Sequence, residues 1–119
     1  MLRRFALADI VEIVLDAAHD KKAEDVVDID VSGKTILADR FVIVTGRSKI
    51  QTRSIADSIT EKAQMAGLRK PRIEGYADGN WILLDLGNVV VHVFTPDQRA
   101  FYNLERLWSS VPERQAQTS

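Results

Sequence analysis

The residues best suited to chemistry lie in one short stretch, "NWILLDLGNVVVHVF", residues 80–94. Folded at Gly87-Asn88, its two arms become a β-hairpin with Gly87 shaping the turn. One face then carries Ile82, Leu84, Leu86, Val89, Val91 and Val93, which need only a core to explain them. The other carries Trp81, Leu83, Asp85, Val90, His92 and Phe94. His92 faces Leu83 across the hairpin, and Asp85 stands one diagonal step away, within side-chain reach. An Asp–His pair can orient an imidazole as a general base. No Ser or Thr nearby in the sequence stands as a nucleophile for it, so the pair reads as a hydrogen bond that organises a surface. Left open, such a face is an apolar patch with a Trp at its centre, the composition of a protein interface. Covered by a helix it is core, and Asp85 then needs a buried partner. The pattern allows both.

A second candidate is "TGRS" (45–48), placed between an apolar strand and a helix. Free N–H groups at a helix start attract anions. This turn has a single Gly and no Lys-Ser/Thr pair, so it is not a P-loop; Gly46 and Ser48 read as a turn and an N-cap. Phosphoryl transfer would further need paired carboxylates on a nearby strand to hold divalent metal. Asp28 and Asp30 have the spacing but precede the turn, and a solvated strand face accounts for them. With only His19 and His92 and no cysteine in the chain, no metal site, cofactor or disulfide is expected.

These residues need positioning elements. Leu7, Ile10, Val11, Val14 and Ala18 recur at helical spacing over residues 5–20. "VVDIDVS" (26–32) alternates as a strand with one covered face, and "FVIVT" (41–45) is apolar throughout, as a central strand covered on both sides is. Ser48 with Gln51 has the spacing of a capping box before a second helix, whose stripe is Ile55, Ile59, Ala63 and Ala66 and whose terminator is Gly67. "PRIEGY" (71–76) reads as a short strand near an edge because it begins with Pro. After the hairpin, Thr95 as N-cap, Pro96 at the first helical position and Gln98 three residues on predict one helix with a Phe101, Leu104 and Trp108 stripe. Residues 109–119 have little apolar content and are expected as a disordered tail, leaving one domain over 1–108. The order α-β-β-α-β-β-β-α predicts an α/β or α+β domain: a five-stranded mixed sheet with two parallel crossovers and flanking helices.

The totals exclude several classes. At 119 residues, 45% hydrophobic and 28% charged, the chain has the size and composition of a single soluble domain. A net charge of −1 and a pI of about 6.1 supply no basic field, so little direct contact with nucleic acid is expected. Asp9 and Glu12 interrupt the apolar run near the start, and no stretch is long enough to span a bilayer, so the expectation is a cytoplasmic protein with no membrane contact.

Three blocks, "ADRFVIVTGRSKIQTRSIAD", "EGYADGNWILLDLGNVVVHVF" and "RAFYNLERLW", together resemble the ribosomal silencing factor, or Iojap, family over residues 5–108. The matching positions are Thr45, Gly46, Arg47, Ser48 and Gln51; Trp81, Asp85, Gly87 and His92; and Arg99, Tyr102, Asn103, Leu104, Glu105 and Trp108. The resemblance implies a nucleotidyltransferase-like fold without the catalytic carboxylates, and no enzymatic activity. It implies binding to the fourteenth protein of the large ribosomal subunit, steric blockage of subunit joining, a contribution to large-subunit maturation, and homodimers in some members. On this chain the partner contact is then expected at Trp81, Leu83, Asp85, His92, Phe94 and Tyr102, with Trp81 and Phe94 as apolar anchors and Asp85 facing a basic group.

Overall fold

The computed structural model describes residues 5–110. Its elements are α1 (Leu7–Asp20), β1 (Glu24–Asp30), β2 (Arg40–Thr45), α2 (Lys49–Met65), β3 (Arg72–Glu74), β4 (Trp81–Asp85), β5 (Val89–Phe94), α3 (Pro96–Tyr102) and α4 (Leu104–Ser110). The five strands form one sheet in the order β1-β2-β5-β4-β3. Only β2 and β5 run parallel; every other pair is antiparallel. One parallel pair therefore stands where two crossovers were expected, because β3, β4 and β5 fold back on one another as a meander after α2.

The hairpin takes the register read from the sequence, with Trp81 opposite Phe94, Leu83 opposite His92 and Asp85 opposite Val90. Leu86 N–H donates to the Val89 carbonyl across the turn, and Gly87 sits at φ +92° in open space. β3 lies at the edge, where Pro71 just before it costs no ladder hydrogen bond. β2 is buried along Phe41–Thr45, as its unbroken apolar run requires.

The two faces of the sheet are covered differently. α1 and α2 pack on one face, where Val14, Ile55 and Ile59 meet Val42, Val44, Ile82, Leu84, Val91 and Val93. The opposite face is covered by α4, whose Leu104 and Trp108 close over Phe41, Ile43, Val90 and Phe94. Leu104 and Trp108 are four residues apart and so share a helix face.

The C-terminal helix is not continuous. Asn103 adopts the left-handed conformation at φ +46° and ψ +56°, which ends α3 and restarts the chain as α4. Asn tolerates that region better than most residues. The break swings Phe101 out of the expected stripe, leaving it 77% exposed. Thr95 makes no side-chain cap bond, so Pro96 and Asp97 alone mark the start of α3. α4 continues through Ser109 and Ser110, two residues into the segment expected as tail, and residues 111–119 lie outside the described residues.

Two glycines with positive φ set the frame around β4. A Cβ on Gly75, at φ +80°, would lie 2.1 Å from the Trp81 carbonyl oxygen, so the turn into β4 admits no side chain there. Gly75→Ala is expected to cost about 3 kcal/mol or more through clash and backbone strain. Gly87→Ala, strained but unhindered, should cost about 1–2 kcal/mol. Urea midpoints of the two variants check this ordering, and equal losses would contradict it.

Candidate protein-docking face

The mixed face of the hairpin is half covered. Phe94 is fully buried and His92 is 6% exposed, because both lie on β5 beneath the α4 cover. Trp81, Leu83 and Asp85 on β4 are half-buried. The register also brings Arg72 and Glu74 of β3 onto this face, opposite Asp85 and Leu83. Tyr102, 43% exposed at the end of α3, closes the rim over Trp81 with ring centroids 4.6 Å apart.

The open part is thus a strip of Trp81, Leu83 and Tyr102 edged by Asp85. Its floor is an aromatic stack: Trp81 lies 5.0 Å from Phe94, and the His92 ring contacts Trp81, Phe94 and Phe41. Phe94, expected as an apolar anchor, is a support instead, since the cover that satisfies β5 leaves none of it exposed.

The polar groups do not pair as the sequence suggests. Trp81 Nε1–H donates to His92 Nδ1 at 3.1 Å. The Asp85 carboxylate turns back on its own hairpin and accepts the Gly87 N–H at 2.8 Å. The expected Asp85–His92 bond is absent because each group has a nearer partner. His92 therefore orients the indole, and Asp85 braces the turn. With Nδ1 accepting, the proton of the neutral ring sits on Nε2, which has no hydrogen-bond partner among the described residues.

The "TGRS" turn is occupied by its own chain. Ser48 Oγ accepts from Gln51 N–H, as the sequence predicts. The return bond reaches Arg47 N–H rather than Ser48, and Gln51 Nε2 donates to the Lys21 and Lys22 carbonyls. Gln51 thereby ties the end of α1 to the start of α2. A Cβ on Gly46 would lie 2.9 Å from Thr52, so that Gly permits close strand–helix packing. Asp28 pairs with Arg40, and Asp30 accepts from Ser32. Among the described residues no group of three or more His, Cys, Asp or Glu is placed to hold a metal ion, and no helix is long and apolar enough to cross a membrane.

One polar cluster was not legible beforehand. Arg99, 11% exposed at its side chain, donates from Nε and Nη2 to the Glu105 carboxylate and from Nη1 to Thr45 Oγ1. This fork fastens α3, α4 and the end of β2 together, which holds the cover in place. The only sequence signal is the Arg99–Glu105 spacing of six residues, which a straight helix would separate and the Asn103 break brings together.

The fold and face define the class: a mixed α+β domain with a five-stranded sheet, flanking helices and a partly open aromatic strip. A sequence profile described as "Ribosomal silencing factor during starvation" matches residues 6–119. The chain is 44% identical over 104 residues to the ribosomal silencing factor RsfS of Halalkalibacterium halodurans, covering 87% of this chain and 89% of that one. Its identity to the RsfS of Bacillus subtilis is 43% over 103 residues, covering 87% of each. A crystal structure of a protein from Chromobacterium violaceum superposes with a TM-score of 0.86 at 34% identity, covering 91% of this chain and 90% of the other. The chain belongs to the ribosomal silencing factor family.

Burial lowers the His92 pKa from its ordinary 6.5 to about 4. Between those values the unfolded chain holds a proton that the folded chain lacks, so stability falls as pH drops through this window and loses nothing further below it. From about pH 7 to about pH 4.5 the loss should reach about 2–3 kcal/mol. His92→Asn keeps an acceptor for the indole and removes the titration. Urea unfolding of both proteins at the two pH values isolates the effect, since the carboxylates are common to both. An identical pH dependence would show that His92 is not held neutral by the fold.

Proposed function

We propose that this chain binds the large ribosomal subunit through its fourteenth protein and sterically blocks joining of the small subunit, repressing translation. It acts in the cytoplasm by occupancy, without catalysis or cofactor, and it also assists maturation of the large subunit. The observation that carries the reading is the Trp81–Leu83–Tyr102 strip, apolar, half open and edged by Asp85. A Trp held from behind by a hydrogen bond and an aromatic stack is preorganised, so less ordering entropy opposes docking. The carboxylate edge favours a basic protein surface. A second copy of the chain seated on the same strip would hide it in the free protein and compete with the subunit.

Completing the burial of Trp81 and Leu83 contributes roughly 1–2 kcal/mol each, which association costs reduce. Trp81→Ala, Tyr102→Ala and Asp85→Lys are therefore each expected to weaken binding at least about ten-fold, the size of one lost anchor. The check is co-sedimentation with purified large subunits, after circular dichroism confirms folding. Trp81→Ala also removes the donor to His92, so the two rim variants carry the test if it unfolds. Undiminished pelleting of both rim variants would place the contact elsewhere, and failure of the parent chain to pellet would remove the ribosomal reading.

A further inference from the structure

Next to the docking strip, where the α2–β3 connection meets the hairpin turn, a cleft of about 390 Å³ is lined by Leu68, Arg69, Lys70, Arg72 and Asp85–Gly87. Arg69, Lys70 and Arg72 are all exposed. Arg72, 79% exposed at its side chain, approaches Glu74 only to 3.8 Å. Neither Arg69 nor Lys70 enters an ion pair among the described residues. The nearest carboxylate in the lining, Asp85, is already engaged by the Gly87 N–H. Pro71, buried between the cations, fixes the backbone that presents them.

The net charge of −1 conceals this edge. Asp9, Glu12, Asp16 and Asp20 are exposed on α1, in the layer that covers the opposite face of the sheet. A partner meeting the β3 edge therefore encounters a local positive field rather than the average. The β3–β4 register sets Arg72 beside Asp85 and places both on the same face as Leu83 and Trp81, so a body docked on the strip lies against the cations.

We propose that Arg69, Lys70 and Arg72 form a phosphate-gripping edge that contacts the RNA backbone beside the docked protein. Guanidinium and ammonium groups bind phosphate oxygens without reading sequence, and each contact releases condensed counterions. The choice of RNA as the source of phosphate rests on the ribosomal docking proposed above; the cationic edge itself does not. Net charge, from which little nucleic-acid contact is expected, does not register a local edge of this kind.

Two titrations test the edge. In the first, fluorescence anisotropy follows a labelled RNA hairpin at low salt with the parent chain and the triple variant Arg69→Gln/Lys70→Gln/Arg72→Gln. The parent chain should bind, with log affinity falling against log salt at a slope of roughly 2–3, the value for three phosphate contacts. The triple variant should bind at least ten-fold more weakly and lose most of that slope. In the second, large-subunit binding by the triple variant should show a slope shallower by the same amount. Its urea midpoint should be unchanged because all three side chains are exposed, and if it shifts, Arg69→Gln/Lys70→Gln replaces it. Absence of RNA binding by the parent chain, or an unaltered affinity and slope in the folded variant, overturns the edge. So does equal, salt-sensitive binding of the parent to anionic lipid vesicles, which would make lipid the phosphate source. A parent chain that binds the hairpin but not the subunit removes the docking reading and leaves the edge standing; the reverse result removes the edge alone.

Discussion

The structure depends on the burial of β5 on both faces. All six residues from Val89 to Phe94 are buried, so the strand must be covered above and below. α1 and α2 cover Val89, Val91 and Val93, and α4 covers Val90 and Phe94. That second cover lets the sheet carry an imidazole and aromatic rings inward. It also stops short of β4, and a half-open strip is the geometric remainder. The strip stays half open because one short helix covers β1, β2 and β5 and stops short of β4.

Holding that helix falls to side chains rather than to its length. A seven-residue helix is marginal by itself, since nucleation costs more than so few hydrogen bonds return. The Arg99 fork to Glu105 and Thr45, the Leu104 and Trp108 contacts, and a bond from Lys34 Nζ to the Trp108 carbonyl bind it to α3, to β1, β2 and β5, and to the β1–β2 connection. The Asn103 break is what makes this possible. A straight helix after Thr95 would keep Phe101 and Leu104 on one side and would carry Glu105 away from Arg99. Loosening the cover would enlarge the open face toward Phe94 and His92, so the extent of the open strip and the stability of α4 are coupled.

Charge is patchy: the exposed carboxylates of α1 and the cations of the β3 edge form separate patches, and the whole-chain balance records neither. Asp85 stands where the apolar strip meets the cations, its carboxylate spent on the hairpin turn.

Much of this was legible in the sequence, for local reasons. Period-two and period-3.6 patterns and the Ser48 cap depend on neighbours along the chain, so the hairpin register, the buried β2 run, the edge position of β3 and the first two helices follow from residue types alone. The three long blocks likewise placed the chain in its family. Other features depend on residues far apart in sequence. The partner of His92 is Trp81 rather than Asp85, the two ends of the C-terminal stripe part at Asn103, and Gln51 spans to α1. A periodicity argument could say that Trp81, Leu83, Asp85, His92 and Phe94 share a face, because alternation is a property of one strand. Which of them remain open was decided by how far α4 reaches across the sheet, a question of packing that no single stretch of the chain contains.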